Sequence, residues 1–335
     1  MLHSKTSAQA TPDFLRRLQK SLKHGDRLWN GGIAALATLV LVLVFSIGAM
    51  LWVSSEAARK QFGLGFVLPT AEYAWNPVTE NFQAWPFIYG TMVTSLFALV
   101  VAVPVSLGVA IFLAELSPAW LRGPVGWMVE LLAAIPSVIY GLWGIYVFLP
   151  AFVRPLGVLL EALGSVPGLQ LIFAGPMPES GSSLLAASIV LAIMITPTIT
   201  AITRDVLLAI SADQREASLA LGATRAETIL RVLVPYGGSG ILGAIVLGLG
   251  RALGETMAVT MVIGNSLMGS YSILQPGYSM ASVVASQFLE ATEELHVTAL
   301  LEVGLVLFAI TLFLNIIARW LVSRIDRRNS QAAGA

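Results

Sequence analysis

The sequence predicts an all-α integral membrane protein with six transmembrane helices and a cytoplasmic helix–turn–helix loop. Three observations predict it. Hydrophobic residues make up 56% of the chain's 335 and charged residues only 11%, against about a quarter charged in soluble domains. The mean hydropathy is +0.81. The apolar residues fall in long charge-poor runs, and a polar insert, residues 216–235, interrupts them.

Residues 1–30 are a basic N-terminal segment carrying Lys5, Arg16, Arg17, Lys20, Lys23 and Arg27. Within it Phe14, Leu15, Leu18 and Leu22 share a helix face beside the cations. An amphipathic helix on the inner membrane surface and a loosely ordered basic tail fit equally well. Residues 31–53 carry no charge, and a helix of that length rises about 34 Å, enough for one bilayer. This apolar run exceeds the roughly 7–15 residues of a signal-peptide core, and no A-x-A site follows, so an uncleaved first span is expected. Residues 54–87, with Trp75, Trp85, Pro69, Pro77 and Pro86, form a long outer loop.

The remaining core, 88–322, holds five further spans at 88–114, 125–149, 184–203, 237–264 and 297–322. Pro104, Pro136 and Pro197 interrupt three of them, each removing a backbone hydrogen bond and kinking its helix. The connection 150–183 is rich in Pro and Gly. The connection 265–296 has Glu290, Glu293 and Glu294 but no Lys or Arg. Both are expected on the outer side. Residues 323–335 form a C-terminal tail.

Cations fix the direction of the spans. Arg122, the group Arg204, Arg215, Arg225 and Arg231, and the group Arg319, Arg324, Arg327 and Arg328 alternate onto the side of the basic N-terminus. The other side holds Arg59, Lys60 and Arg154. By the positive-inside rule both termini and the insert face the cytoplasm.

The insert reads as two short helices in a cytoplasmic loop, 204–235. Ser211 with Gln214 has the spacing of a capping box, and Gly222 stands where a C′ glycine would end the first helix. Thr224 with Glu227 is a second capping box, and Pro235 is expected to stop the second helix. Such a turn needs water or protein around it, so it is a surface feature shaped to fit a partner.

Inside the membrane, Arg251 lies near mid-depth of the fifth span, where insertion of an arginine costs at least about 2.5–3.5 kcal/mol. Glu255 is four residues on and is expected on the same helix face. The expected role is an arginine lining an anion path, held by the glutamate, because its planar fork of donors matches phosphate or carboxylate oxygens. Gly240, Ala244, Gly248 and Ala252 form a small-residue stripe, and Gly250 with Gly254 a second pair, for close approach of another helix. Glu130 and Glu302 lie near span ends and are expected at the interfaces.

Several chemistries are excluded. The chain has no cysteine, so disulfides and thiolate chemistry are absent. His3, His24 and His296 lack metal-ligand spacing and read as unrelated surface residues. No phosphate-loop motif or catalytic triad occurs. The net charge of zero gives no hint of nucleic acid. Work against a gradient would need a partner or an ion gradient.

The run Glu216, Ala217, Ser218, then Gly222, Ile229, Leu233 and Pro235, resembles the EAA loop of ABC importer permeases, with Ser218 and Val234 as small departures. In that family the loop is the coupling helix that docks in an ATPase groove. Residues 89–116, 130–144 and 248–259, the last containing RALGETMAV, are similar to the PstC-type subunit of phosphate-specific importers. The resemblance covers most of 85–320. It implies a bacterial inner-membrane, multi-pass permease that binds no cofactor itself. Its implied partners are a PstA-type sister permease, a dimer of ATP-binding subunits using ATP and magnesium, and a periplasmic phosphate-binding protein. A regulator or sensor kinase of phosphate signalling is a further implied partner. Other oxyanions such as phosphonate, molybdate or sulfate remain alternative cargoes. An ion-driven transporter is a different class, against which no inverted pair of broken helices is apparent. A purely regulatory membrane protein is another.

Overall fold

The computed structural model describes the backbone of residues 13–69, 75–267 and 270–333, with side chains described between 29 and 325. It divides into two compact units, Met1–Val53 and Ser54–Ala335. The first is the helix α1 (Asp13–Ser54), whose stretch Trp29–Ser54 is long and apolar enough to cross a bilayer. Thr38 and Ser46 donate to the carbonyls of Ala34 and Val42 one turn back, so neither hydroxyl is unpaired on this apolar surface. The side chains of Phe14, Leu15, Leu18 and Leu22 lie outside the described residues, as do those of His3, His24, Arg327 and Arg328.

The second unit opens with α2 (Glu56–Phe62) and a two-residue hairpin, β1 (Trp75–Asn76) antiparallel to β2 (Asn81–Phe82). Then come α3 (Trp85–Ile111), α4 (Ala119–Ala134), α5 (Ser137–Trp143), α6 (Arg154–Glu161) and α7 (Gln170–Phe173). The long α8 (Leu184–Leu208) is followed by α9 (Ala212–Ala220), α10 (Arg225–Glu227) and α11 (Val234–Tyr236). The chain closes with α12 (Gly238–Gly254), α13 (Met257–Val262), α14 (Met280–Gln287) and α15 (Glu294–Ala333). Five stretches are long and apolar enough to span: Trp29–Ser54, Trp85–Leu116, Ser137–Ser165, Leu184–Leu208 and Glu294–Ile325. The pair Arg225–Tyr236 and Gly238–Gly254, bent by 70°, makes a sixth.

Two predicted spans have different bounds. The third, expected at 125–149, is two helices. Pro136 breaks the chain rather than kinking it, and Ile135 before it is extended at ψ 129°, as pre-proline sterics favour. The membrane-length piece is Ser137–Ser165, so the expected outer loop at 150 begins as helix. It passes Pro150 in π-helical geometry, whose longer hydrogen-bond step accommodates the missing N–H. The fifth, expected as one helix over 237–264, ends at Gly254. Glu255 is extended at ψ 125°, and α13 starts afresh at Met257.

α8 is the hub, buried on several faces from Leu184 to Leu207. Against α3 it is clasped by Ser106 Oγ, which donates to the Thr196 carbonyl at 3.1 Å. Against α12 it receives the predicted small-residue stripe. A Cβ on Gly240 would sit 2.6 Å from Val206 Cγ2, and one on Gly248 would sit 2.7 Å from Ile199 Cδ1. Ala244 is fully buried at this seam. Beyond the break at Glu255, α13 crosses to α5, where Gly141 and Gly144 admit Met261 and Val262.

The expected outer loops form a second core. Phe66, Trp75, Phe82, Phe87, Tyr278, Met280 and Val303 are buried together. His296 belongs to it. Far from lying at the surface, it is 7% exposed and stacked on Phe82 at 5.2 Å between centroids. The Trp75 indole donates to Gln287 Oε1 at 2.7 Å beside it. Glu302, expected at an interface, is also buried, at 4% exposure. The physical reason is the same for both: residues 54–69 and 75–87 fold back over the start of α15 instead of extending into solvent.

The α8–α12 seam yields a prediction. Gly248→Val should lower the unfolding midpoint of the detergent-solubilised chain, because overpacking a tight contact costs about 1–3 kcal/mol. Gly108→Ala, whose Cβ would meet nothing within 4 Å, should leave the midpoint unchanged or raise it slightly. Equal midpoints for Gly248→Val and wild type would show that this seam yields freely.

Candidate functional site

The helix–turn–helix segment is built much as its sequence suggests. α9 ends in a Schellman motif. The Ala223 N–H reaches the Ser218 carbonyl at 3.2 Å, the Gly222 N–H reaches that of Leu219 at 3.0 Å, and Gly222 has φ +87°. The Thr224–Glu227 capping box is complete. The Thr224 N–H and hydroxyl donate to Glu227 Oε2 at 3.0 and 2.9 Å, and the Glu227 N–H donates to Thr224 Oγ1 at 3.3 Å. The Thr224 backbone N–H, then its hydroxyl, hold the Glu227 carboxyl below the usual carboxylate range. Stability from this cap is therefore lost only as pH falls through that lowered value.

Two details differ from expectation. Ser211 occupies the N-cap position of α9 but makes no side-chain cap bond, so its box with Gln214 does not form. Pro235 does not stop the second helix. A π-helical turn over Thr228–Leu233 carries the chain through it, and the direction changes at Gly237. Ser218 Oγ lies 3.0 Å from Thr228 Oγ1 and ties the two arms of the turn. Glu216 and Ala217 are exposed, and Leu221 beside Gly222 is 90% exposed, leaving an apolar tip.

A joint absent from the sequence reading anchors this segment. The Arg215 guanidinium grips Glu115, just beyond α3, through Nη2 at 2.7 Å and through Nε at 3.1 and 3.2 Å. It also donates to the carbonyls of Leu207, at 2.7 Å, which accepts the Ile210 N–H as well, and of Ile210, near the end of α8. One side chain so binds α9 to the ends of α3 and α8 with charge-assisted bonds. Close by, Arg204 pairs with Glu130 of α4 and with Asp205, both at 2.9 Å. Gly126 leaves room for that guanidinium.

The second candidate site surrounds Arg251, in the last turn of α12. Arg251 Nη1 donates to Thr198 Oγ1 at 3.4 Å, near the middle of α8. It does not share a helix face with Glu255, because α12 has already ended. Instead Glu255 Oε1 accepts from the Ala258 N–H at 3.3 Å and caps α13. Among the described residues no carboxylate lies within ion-pair distance of Arg251. The arginine faces a cavity of about 770 Å³ between α12 and α15. Among the described residues no cluster of His, Asp and Glu could hold a metal ion.

Sequence reasoning placed the Gly222 turn and the Thr224 box as the structure has them. It missed Glu115, Glu130 and the α15 wall of the cavity. Glu115 and Arg215 are a hundred residues apart, so no local pattern joins them.

Comparison with known proteins closes the description. Residues 106–331 match the family model described as binding-protein-dependent transport system inner membrane component. The chain is 45% identical over 306 residues to a phosphate transport system permease protein PstC of Mesorhizobium japonicum, covering 90% of this chain and 91% of that one. It is 43% identical to the PstC of Haemophilus influenzae, covering 92% and 98%. Among solved structures it resembles a chain of a bacterial alginate ABC transporter, with a TM-score of 0.58 at 18% identity, over 92% and 98% of the two chains. That likeness is one of fold. The match across two thirds of the chain, with relatives aligned over nine-tenths of it, shows that the chain belongs to the binding-protein-dependent transport system inner membrane component family.

Proposed function

We propose that this chain is the transmembrane permease subunit of an ATP-driven inorganic phosphate importer. The observation that carries it is a partly buried arginine that faces a cavity and has no carboxylate within ion-pair distance among the described residues, in a chain whose relatives are PstC phosphate permeases. The chain is a transport component and not an enzyme. ATP and magnesium belong to a partner ATPase dimer. A PstA-type sister permease completes the path, and a periplasmic binding protein delivers phosphate. On this reading both termini and the 204–235 loop face the cytoplasm. A regulator or sensor kinase of phosphate signalling reads the state of the assembly.

The coupling follows from the joints described above. Glu216, Ala217, Ser218 and the apolar tip at Leu221 dock on the ATPase, with Gly222 setting the turn and Pro235 lying in the second arm. Closure of the ATPase dimer on ATP pulls α9. Arg215 carries that pull to α3 and α8 together, and the second arm carries it to α12. The bundle opens outward to take phosphate from the binding protein, and hydrolysis resets it. Arg251 meets the anion on the way through. Glu255 acts at one remove, by capping the break that aims α13 at α5. A guanidinium reads tetrahedral oxygens and not the central atom, so sulfate, molybdate and phosphonate are the competing cargoes.

Labelled-phosphate uptake by cells lacking their own importers, with this chain and its partners, tests the reading. Uptake abolished by an ATPase-dead partner is expected; uptake that survives it would point to an ion-driven transporter. An assembled complex that ignores phosphate but takes up another oxyanion would change the cargo. Arg251→Gln should cut uptake about 10–100-fold, the worth of one or two charge-assisted hydrogen bonds, with assembly intact. Wild-type uptake in that variant would remove Arg251 from the path. Gly222→Val forces a β-branched residue into positive φ, costing about 1–2 kcal/mol, and should weaken ATPase co-purification. Glu115→Gln should leave the ATPase bound yet lower phosphate moved per ATP hydrolysed. An unchanged ratio would show that the Arg215 joint carries no coupling.

A further inference from the structure

The cavity beside Arg251 has a second wall that the phosphate-importer reading does not assign. Arg251 and Thr198 stand on one side, and α15 supplies Asn315 and Arg319 on the other. The two helices run antiparallel here, since Gly238 at the start of α12 meets Ile325 toward the far end of α15. Two turns of each helix line the cavity, which gives a groove about 11 Å long. Arg251 lies at one end, and Arg319 lies nearer the end that carries the helix–turn–helix segment. Gly243 and Gly250 keep the floor open, because a Cβ on either would meet nothing within 4 Å.

The charge balance of this groove is one-sided. No Asp or Glu lines it, and among the described residues neither arginine has an ion-pair partner. Arg251, partly buried within its span, calls for a compensating charge from a neighbouring group or a bound ion, and the exposed Arg319 brings a second positive charge to the other end of the same groove. Asn315 Nδ2 is committed to the Thr311 carbonyl at 2.8 Å, which leaves its Oδ1 as an acceptor. Two guanidinium forks, a threonine hydroxyl and one amide oxygen suit a tetrahedral oxyanion that still carries a proton. The proton would meet the acceptor, and the remaining oxygens would meet the donors.

We propose that Arg319, with Asn315, forms an oxyanion-binding station one step beyond Arg251, on the side from which the anion is released. The inference rests on the importer reading. The same chemistry would also hold the phosphate of an anionic lipid headgroup, so the test separates the two sources.

The complete complex would be reconstituted in vesicles of phosphatidylcholine alone and of phosphatidylcholine with phosphatidylglycerol. Phosphate uptake and ATP hydrolysis would be measured for wild type, Arg319→Gln and Arg319→Lys. The Gln variant should lose about tenfold in uptake in both vesicles, while loaded binding protein still stimulates its ATPase; the Lys variant should recover part of the loss. Uptake equal to wild type would overturn the proposal. A loss confined to vesicles with phosphatidylglycerol would overturn it in favour of a lipid site. Should the Gln variant not assemble, the wild-type complex decides: inorganic phosphate should slow dicarbonyl labelling of Arg319, and unchanged labelling would overturn the station. A wild-type complex that moves no phosphate would instead defeat the importer reading itself.

Discussion

A chain that leaves helical geometry inside hydrocarbon must satisfy its own freed polar groups, and the bundle is organised by that constraint. Three interruptions in the second unit have a named group in attendance. At Ile135–Pro136 the Tyr140 hydroxyl returns to the Leu132 carbonyl at 2.9 Å. At Glu255–Thr256 the Glu255 carboxyl caps α13. At the end of α8, Arg215 takes up the last carbonyls and a carboxylate at once. At these three places a side chain accepts or donates what the backbone has lost.

The constraint also separates the two ends of the second unit. The end near Arg204 is held by ion pairs, with guanidinium groups bridging helices that are distant in sequence. The opposite end is held by aromatic packing, with Trp75, Phe82, Phe87 and His296 in mutual contact. An aromatic core has no strongly directional bonds beyond a few hydrogen bonds such as Trp75 to Gln287, whereas a bidentate Arg–carboxylate pair fixes orientation as well as distance.

Most of the fold was legible because its signals are local. Long apolar runs mark spans whatever their neighbours, and the glycine and capping-box pattern around Gly222 and Thr224 acts within four residues. The misreadings have a common cause. Whether Pro136 kinks or breaks, and whether the helix bearing Arg251 continues through Glu255, depends on what the freed groups find nearby, and those partners come from elsewhere in the chain. An i,i+4 spacing implies a shared face only while the helix lasts, and Gly254 ends it. His296 was misplaced because a window of local hydropathy cannot show that residues 75–87 fold back over it. The Arg215–Glu115 joint carried no local signature at all.

The bend at Gly237 has a mechanical meaning. The arm Arg225–Tyr236 and the helix α12 meet there at 70°. The short arm is about 18 Å long, and Arg251 stands roughly 20 Å along the other. The two form a bell crank with nearly equal throws, its pivot lodged near Val206 of α8. Such a crank neither magnifies nor diminishes a stroke; it turns it through a corner. A displacement of a few ångströms at the tip of the short arm would reach the partly buried arginine at close to its own size. The depth at which that charge sits is then matched to the length of the arm that moves it.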